Sequence, residues 1–291
     1  MLGSDKRSDY LVSAEQLKDM LMLGEVKVFD CATHLVPDPE TGYSVRPGRS
    51  DFEETHIPGA QFIDLQGELS DADSNYRFTM PSAEKFSQRV AAKGLSNSDA
   101  VVIYASNHPM WACRLWWMFR AFGHQQVKVL DGGLAAWQKK GYELSSGISA
   151  VAPGSFQALL DESKVAQVAD ILGGLDQGNV CVINALSEKQ HRGERPHYGR
   201  PGRITGSVSA SWNRFLDKDQ CFLANAELNQ VLTEVGAVQA EQVITYCGGG
   251  IAASVPILAM ALLGREDQVS LYDNSLSEWA NNVDLPMTSD A

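Results

Sequence analysis

One itinerary runs twice along this chain. VVIY at 101–104 returns as VITY at 243–246, and LDGGLAAW at 130–137 returns as YDNSLSEW at 272–279. The spacing is kept: Tyr104 precedes Asp131 by 27 positions, Tyr246 precedes Asp273 by 27, and each Asp stands 6 before its Trp, Trp137 or Trp279. Upstream, HIPGA at 56–60 pairs with RITGS at 203–207, and VFDCA at 28–32 pairs with VINAL at 182–186. A duplicated order at fixed spacing calls for two copies of one fold. At 291 residues there is room for two domains of ordinary size. The stretch SSGISAVAPGSF, 145–156, is rich in Ser and Gly and lacks helical or strand periodicity. The expected division is therefore a first domain over 1–146, a linker over 147–155 and a second domain over 156–291.

Within each half, short β-branched runs (VKVFD, AVVIYA, VKVLDG; VCVINA, QVITYC, VSLYD) alternate with helical segments such as AEKFSQRVAAKG and SVPILAMALLG. That alternation predicts an α/β class, each domain a mainly parallel sheet with helices on both faces. Ligands in such folds sit beyond the carboxyl ends of the strands.

The stretch VITYCGGGIAASVPILAMAL, 243–262, places Cys247 at one such end, where a helix begins. The first turn of a helix offers amide N–H groups without intrahelical partners. Glycine at 248, 249 and 250 lets these amides curl around an anion with no side chains in the way. A free thiol ionises near about 8.5, and a helix N-terminus lowers that by a unit or more, so Cys247 is expected to be largely thiolate near neutrality. Backbone amides from Gly248, Gly249, Gly250, Ile251 and Ala252 are its expected cradle. The first copy carries Ala105 at the matching position, so the fold itself does not require a cysteine. A cysteine phosphatase would need Arg six residues after the nucleophile; here that position is Ala253, and the next Arg is Arg265.

Composition narrows the remaining classes. A net charge of −12 argues against nucleic acid or an anionic membrane as main partner. No apolar run is long enough to span a bilayer, and MLGSDKRSDYLVSAEQ lacks the apolar core of a signal peptide, which leads to an expected cytoplasmic location. The five cysteines are scattered, without CxxC pairs or metal-like spacing to the six histidines, so neither a metal site nor a disulfide framework is expected. Cys31, Cys113, Cys181 and Cys221 read as small apolar fillers.

HIPGA, the paired LDGGLAAW and YDNSLSEW, WWMFRAFGH at 116–124 and YCGGGIAAS at 246–254 together resemble the two-domain rhodanese family of thiosulfate and 3-mercaptopyruvate sulfurtransferases, over nearly the whole chain. The resemblance implies two rhodanese-like domains, a catalytically silent first one, and a Cys247 that carries sulfur as a persulfide without metal or organic cofactor. The chemistry suits a thiolate: it attacks the outer sulfur of a small anionic donor, and a thiophilic acceptor (cyanide, a thiol or a thioredoxin-like protein) then removes that sulfur. Thiosulfate is the expected donor and 3-mercaptopyruvate the alternative; a sulfur-relay or regulatory module without turnover is a third reading.

The loop departs from both family patterns, having neither the basic residues of thiosulfate-type loops nor the serine of mercaptopyruvate-type loops, whose place Gly249 takes. Asp64 matches an acid that mercaptopyruvate-type members use, whereas Phe78 stands where they carry histidine. In place of the family's acidic residue and Arg after the second copy's first strand stand Asn184, Ala185 and Leu186. A basic island, HRGERPHYGRPGR at 191–203, offers Arg192, Arg195, Arg200 and Arg203 as candidate anchors for an anionic donor, since guanidinium forks match its oxygens. The other conspicuous residues read as structural: His56 bonded within its own turn, Trp111, Trp116 and Trp117 on a core or interface helix, Asp131 and Asp273 in local turns.

Overall fold

A computed structural model describes residues 6–38, 42–194 and 198–291. Each half forms a five-stranded sheet, and both sheets are parallel throughout. In space the first runs Leu11–Val12, Val127–Leu130, Ala100–Tyr104, Val26–Asp30, Gln61–Phe62. The second repeats that order: Val165–Ala166, Val269–Tyr272, Gln242–Tyr246, Val180–Asn184, Val208–Ser209. Central pairings match residue for residue, Asp30 opposite Tyr104 and Asn184 opposite Tyr246. The buried Tyr hydroxyls keep the same task, accepting the amides of Ile57 and Ile204 at 3.2 Å.

The helices that follow the two matching loops, Pro109–Ala121 and Ser254–Leu262, pack on each other. All nine residues of the second are buried, as expected of a helix that is apolar on every side. Trp111, Trp116 and Trp117 lie in the first, each at most 1% exposed, and one apolar core runs through both halves. The first residues past the expected linker stay with the first half: Phe156 packs on Phe86, Phe119 and His124, and the Asp161 amide donates to the Ala121 carbonyl.

Asp131 and Asp273 do more than the local turn roles expected of them. Each reaches into the opposite half and accepts a backbone amide there, Asp131 from Phe222 at 2.9 Å and Asp273 from Met80 at 2.7 Å. Each also meets an arginine, Arg7 at 3.3 Å and Arg114 at 2.5 Å respectively. The two copies are thus joined by a reciprocal pair of carboxylates.

The matched positions Asp30 and Asn184 differ in charge. Asp30 Oδ1 accepts from the Ala32 amide at 2.8 Å and Asn184 Oδ1 from the Leu186 amide at 3.0 Å, so an amide performs the same bond. Burial pushes the Asp30 carboxyl up from 3.8 to about 7. Between those pH values the folded chain keeps a proton that the unfolded chain has lost, so this group lowers stability as pH rises through the window, with the full penalty above it. Asp30→Asn should therefore raise Tm by a few degrees at pH 8, the gain fading toward pH 4, in thermal unfolding followed across pH.

Candidate active site

Cys247 closes the strand Gln242–Tyr246 and is 2% exposed. Its amide donates to Ser275 Oγ at 3.0 Å, and Ser275 Oγ donates on to the Tyr272 carbonyl. The loop's carbonyls are tied down outward: Cys247 O accepts from the Leu276 amide, Gly248 O from the Ser277 amide and hydroxyl, Gly250 O from Arg114, and Ile251 O from Ser254. The amides of Gly248, Gly249, Gly250, Ile251 and Ala252 meet no acceptor among the described residues. Buried donors without partners are rare; four of these five belong to buried residues, Gly249 is half-buried, and together they make a row of donors able to meet an anion.

Two of the glycines are fixed by close approach. A side chain at 248 would collide with the Tyr198 ring, and Gly250, at φ 77°, would press a Cβ to 2.7 Å from the Asp273 carbonyl. At Ser275 a non-glycine residue takes φ 52°, where the first copy has Gly133 at φ 57°. Serine there is strained, and the strained conformation is the one that delivers its hydroxyl to the Cys247 amide.

Above the thiol lies a cavity of about 190 Å³ built from both halves. The first half supplies Leu35, Tyr43, Phe78, Met110 and Trp111; the second supplies Leu186, Gln190, Tyr198 and Trp212 beside the loop. Leu35 and Tyr43 come from the two arms of a hairpin, Thr33–Asp38 with Gly42–Pro47. Phe78 stands at φ 63°, held by its amide to Gln66 Oε1 at 3.1 Å and by Arg114 Nη2 on its carbonyl at 2.7 Å. The same Arg114, 1% exposed, bonds Asp273 and Gly250, so one guanidinium joins the Phe78 wall to the loop. A more polar chamber adjoins, sharing Tyr43 and Tyr198 and containing Arg77 and Ser277. Arg77 stacks on the Tyr43 ring, 4.7 Å from its centre. Burial pushes the Tyr43 and Tyr198 phenols up, with the Cys247 charge adding to it, so both keep their O–H donors.

The expected anchors lie elsewhere. Arg192 pairs on the surface with Glu188 and Glu194; Arg203 forks the Asp290 carboxylate at 2.7 and 2.9 Å. Arg200 donates to the carbonyls of Trp279, Ala280, Asn282 and Leu285 and so holds the C-terminal turn. Arg195 lies outside the described residues. Asp64 caps its own turn, accepting from the amides of Gln66 and Gly67 at 3.0 Å. Neither Asp64 nor Arg192, Arg200 or Arg203 lines the cavity. His56 bonds Phe52 O and stacks on its ring, as the sequence suggested. Among the other thiols, burial pushes Cys181 and Cys221 up to about 11 and raises Cys31 and Cys113 as well. They remain protonated near neutrality. The described residues hold no group of three metal-ligating side chains and no helix long and apolar enough to cross a membrane.

Two copies of a parallel α/β fold, one of them presenting a cysteine in an amide-rich loop, define a tandem-domain α/β protein. The chain belongs to the rhodanese family: the model for the Rhodanese-like domain matches residues 13–140 and 167–282. It is 35% identical to the 3-mercaptopyruvate sulfurtransferase of Rattus norvegicus over 271 residues, 91% of this chain and 89% of that protein. To the thiosulfate sulfurtransferase of the same organism it is 32% identical over 279 residues, 92% and 91% of the two chains. Among solved structures, SseA of Escherichia coli, a 3-mercaptopyruvate sulfotransferase, superposes with a TM-score of 0.82 at 27% identity, covering 91% of this chain and 98% of that one. The protein is a rhodanese-type sulfurtransferase.

Ser275, missed in the sequence, gives a direct test of the loop. Ser275→Gly removes the hydroxyl while relieving the positive φ. A lost hydrogen bond of about 1 kcal/mol corresponds to about a fivefold fall in kcat/KM, with Tm unchanged or raised.

Proposed function

We propose that this sulfurtransferase carries the transferred sulfur on Cys247, with the amides of Gly248 to Ala252 holding the charge of the thiolate and of its persulfide. The observation that carries this reading is the row of five acceptor-free amides beside a cysteine in a cavity shared by both halves. With thiosulfate, the thiolate attacks the outer sulfur, the S–S bond breaks, and sulfite leaves with the bonding pair; Cys247–S–S⁻ remains. Cyanide, a small thiol or a thioredoxin-like protein then takes the outer sulfur, cyanide leaving as thiocyanate, and the thiolate is restored. Preformed amides stabilise both anions without reorganising during the reaction.

Positive charge for the donor comes, in this reading, from Arg77 in the adjoining chamber, with the Tyr43 and Tyr198 hydroxyls between it and the thiol. That is the role the sequence reading gave to Arg192, Arg195, Arg200 and Arg203. A second donor, 3-mercaptopyruvate, is favoured by the absence of Lys or Arg from the cavity's own lining among the described residues and by the 35% identical relative of that name. Here the C–S bond breaks, and the enolate formed takes the proton of the donor thiol to leave as pyruvate.

Steady-state thiocyanate formation tests the assignment. Cys247→Ala should lose activity by at least about a thousandfold with both donors, as expected when a covalent nucleophile is removed. Turnover persisting in that variant would remove Cys247 from the mechanism.

A further inference from the structure

Passing sulfur on to a thiol requires a base that the Cys247 cavity does not contain. A thiol ionising near about 8.5 arrives protonated at neutral pH, whereas the attacking species is the thiolate. Among the described residues lining the cavity, the titratable groups besides Cys247 are the phenols of Tyr43 and Tyr198, and these hold their protons. A base stands one side chain away. A chamber of about 270 Å³ shares Leu35, Met110 and Trp111 with the cavity and adds His34, Asn107 and His108. His108 caps the helix Pro109–Ala121, three residues past Ala105 in the first copy's loop. Its ring meets Trp212, a wall of the Cys247 cavity, edge-on at 5.8 Å between centres. It is exposed, and neither ring nitrogen has a hydrogen-bond partner among the described residues. The His108 amide donates to Asn107 Oδ1 at 2.7 Å and Asn107 Nδ2 to the Thr33 carbonyl at 2.8 Å, which fastens this loop to the hairpin. The titratable group it faces is His34 on the hairpin, bound to Asp51 of the helix Arg49–Glu54, with Arg46 on the far side of that carboxylate. Partial burial and His34 hold the His108 imidazole below the usual histidine value, so near pH 7 it is neutral and able to take a proton.

We propose that this chamber receives a small thiol as sulfur acceptor and that His108 is the base that ionises it, a role that rests on the reading of Cys247 as sulfur carrier. The S–H proton passes to a ring nitrogen of His108. The thiolate forms a bond to the outer sulfur of Cys247–S–S⁻, and the bond between that sulfur and Cys247 Sγ breaks with its electron pair left on Sγ. An organic persulfide anion departs, the Cys247 thiolate is restored, and His108 gives its proton to solvent. Charge is conserved, and no redox partner is required. Donor and acceptor thus use separate chambers, the one containing Arg77 and the one containing His108.

The test uses enzyme loaded with sulfur from thiosulfate or 3-mercaptopyruvate, freed of donor, and mixed at pH 8 with one acceptor in single turnovers. The acceptors are 2-mercaptoethanol, which is protonated at that pH, thiophenol, which is ionised, and sulfite, which is mainly a dianion. His108→Gln should lower the 2-mercaptoethanol rate by about a hundredfold relative to the sulfite rate of the same variant, the scale of general-base catalysis, while the thiophenol-to-sulfite ratio stays as in wild type. Added imidazole should restore the 2-mercaptoethanol rate in His108→Ala. An unchanged 2-mercaptoethanol-to-sulfite ratio in His108→Gln, or a fall shared equally by thiophenol, overturns this inference and leaves Cys247 as sulfur carrier. Wild-type enzyme that takes up no sulfur on Cys247 from either donor overturns both.

Discussion

The buried contact between Arg114 and Asp273 ties the Cys247 loop to the half of the molecule that has Ala105 in place of the cysteine. Arg114 comes from the helix Pro109–Ala121, Asp273 from the end of the strand Val269–Tyr272, and their atoms meet at 2.5 Å. A buried ion pair yields little net stability, because desolvation offsets the attraction, yet removing one partner strands the other charge at about 3–5 kcal/mol. What this pair supplies is geometry. The guanidinium also holds the carbonyls of Gly250 and Phe78, and the carboxylate also holds the Met80 amide. Loop, cavity wall and interface are therefore joined through one ion pair, and the first half helps to shape the loop of the second.

The loop works by a division between its two kinds of backbone group. Carbonyls are bound outward by Leu276, Ser277, Arg114 and Ser254, which leaves the amides as the polar groups to satisfy whatever occupies the cavity. Ser275 shows where the two copies diverge in purpose. The first copy meets the positive φ with glycine at 133; the second bears the strain of serine, whose hydroxyl holds the Cys247 amide. The absence of side chains in the loop also has a cause outside it, since the Tyr198 ring occupies the space a residue at 248 would fill.

Much of this was legible in the sequence because it is local or repeated. Equal spacing of Tyr104–Asp131 and Tyr246–Asp273 foretold two sheets of identical strand order, and a cysteine followed by three glycines at a strand end located the loop. Long-range contacts left no such mark. The hairpin carrying Leu35 and Tyr43, the left-handed Phe78 and the reach of Arg77 toward Tyr43 follow from how the halves meet, which no periodicity records. The basic island misdirected the reading for a related reason. Counting arginines reveals charge but not partners, and Arg200 spends its donors on four backbone carbonyls while Arg203 is taken by Asp290. Asp131 and Asp273 were read as turn residues because only the assembled interface shows the amides they accept.

Between donor and acceptor the transferred sulfur must reside somewhere on the enzyme, and its position is open to direct measurement. Enzyme treated with thiosulfate without acceptor, then digested and analysed by mass spectrometry, should carry one additional sulfur on the peptide containing Cys247, released on adding cyanide. Additional sulfur on the peptides of Cys31, Cys113, Cys181 or Cys221 instead, or a Cys247 peptide unchanged under every donor that supports turnover, would contradict it.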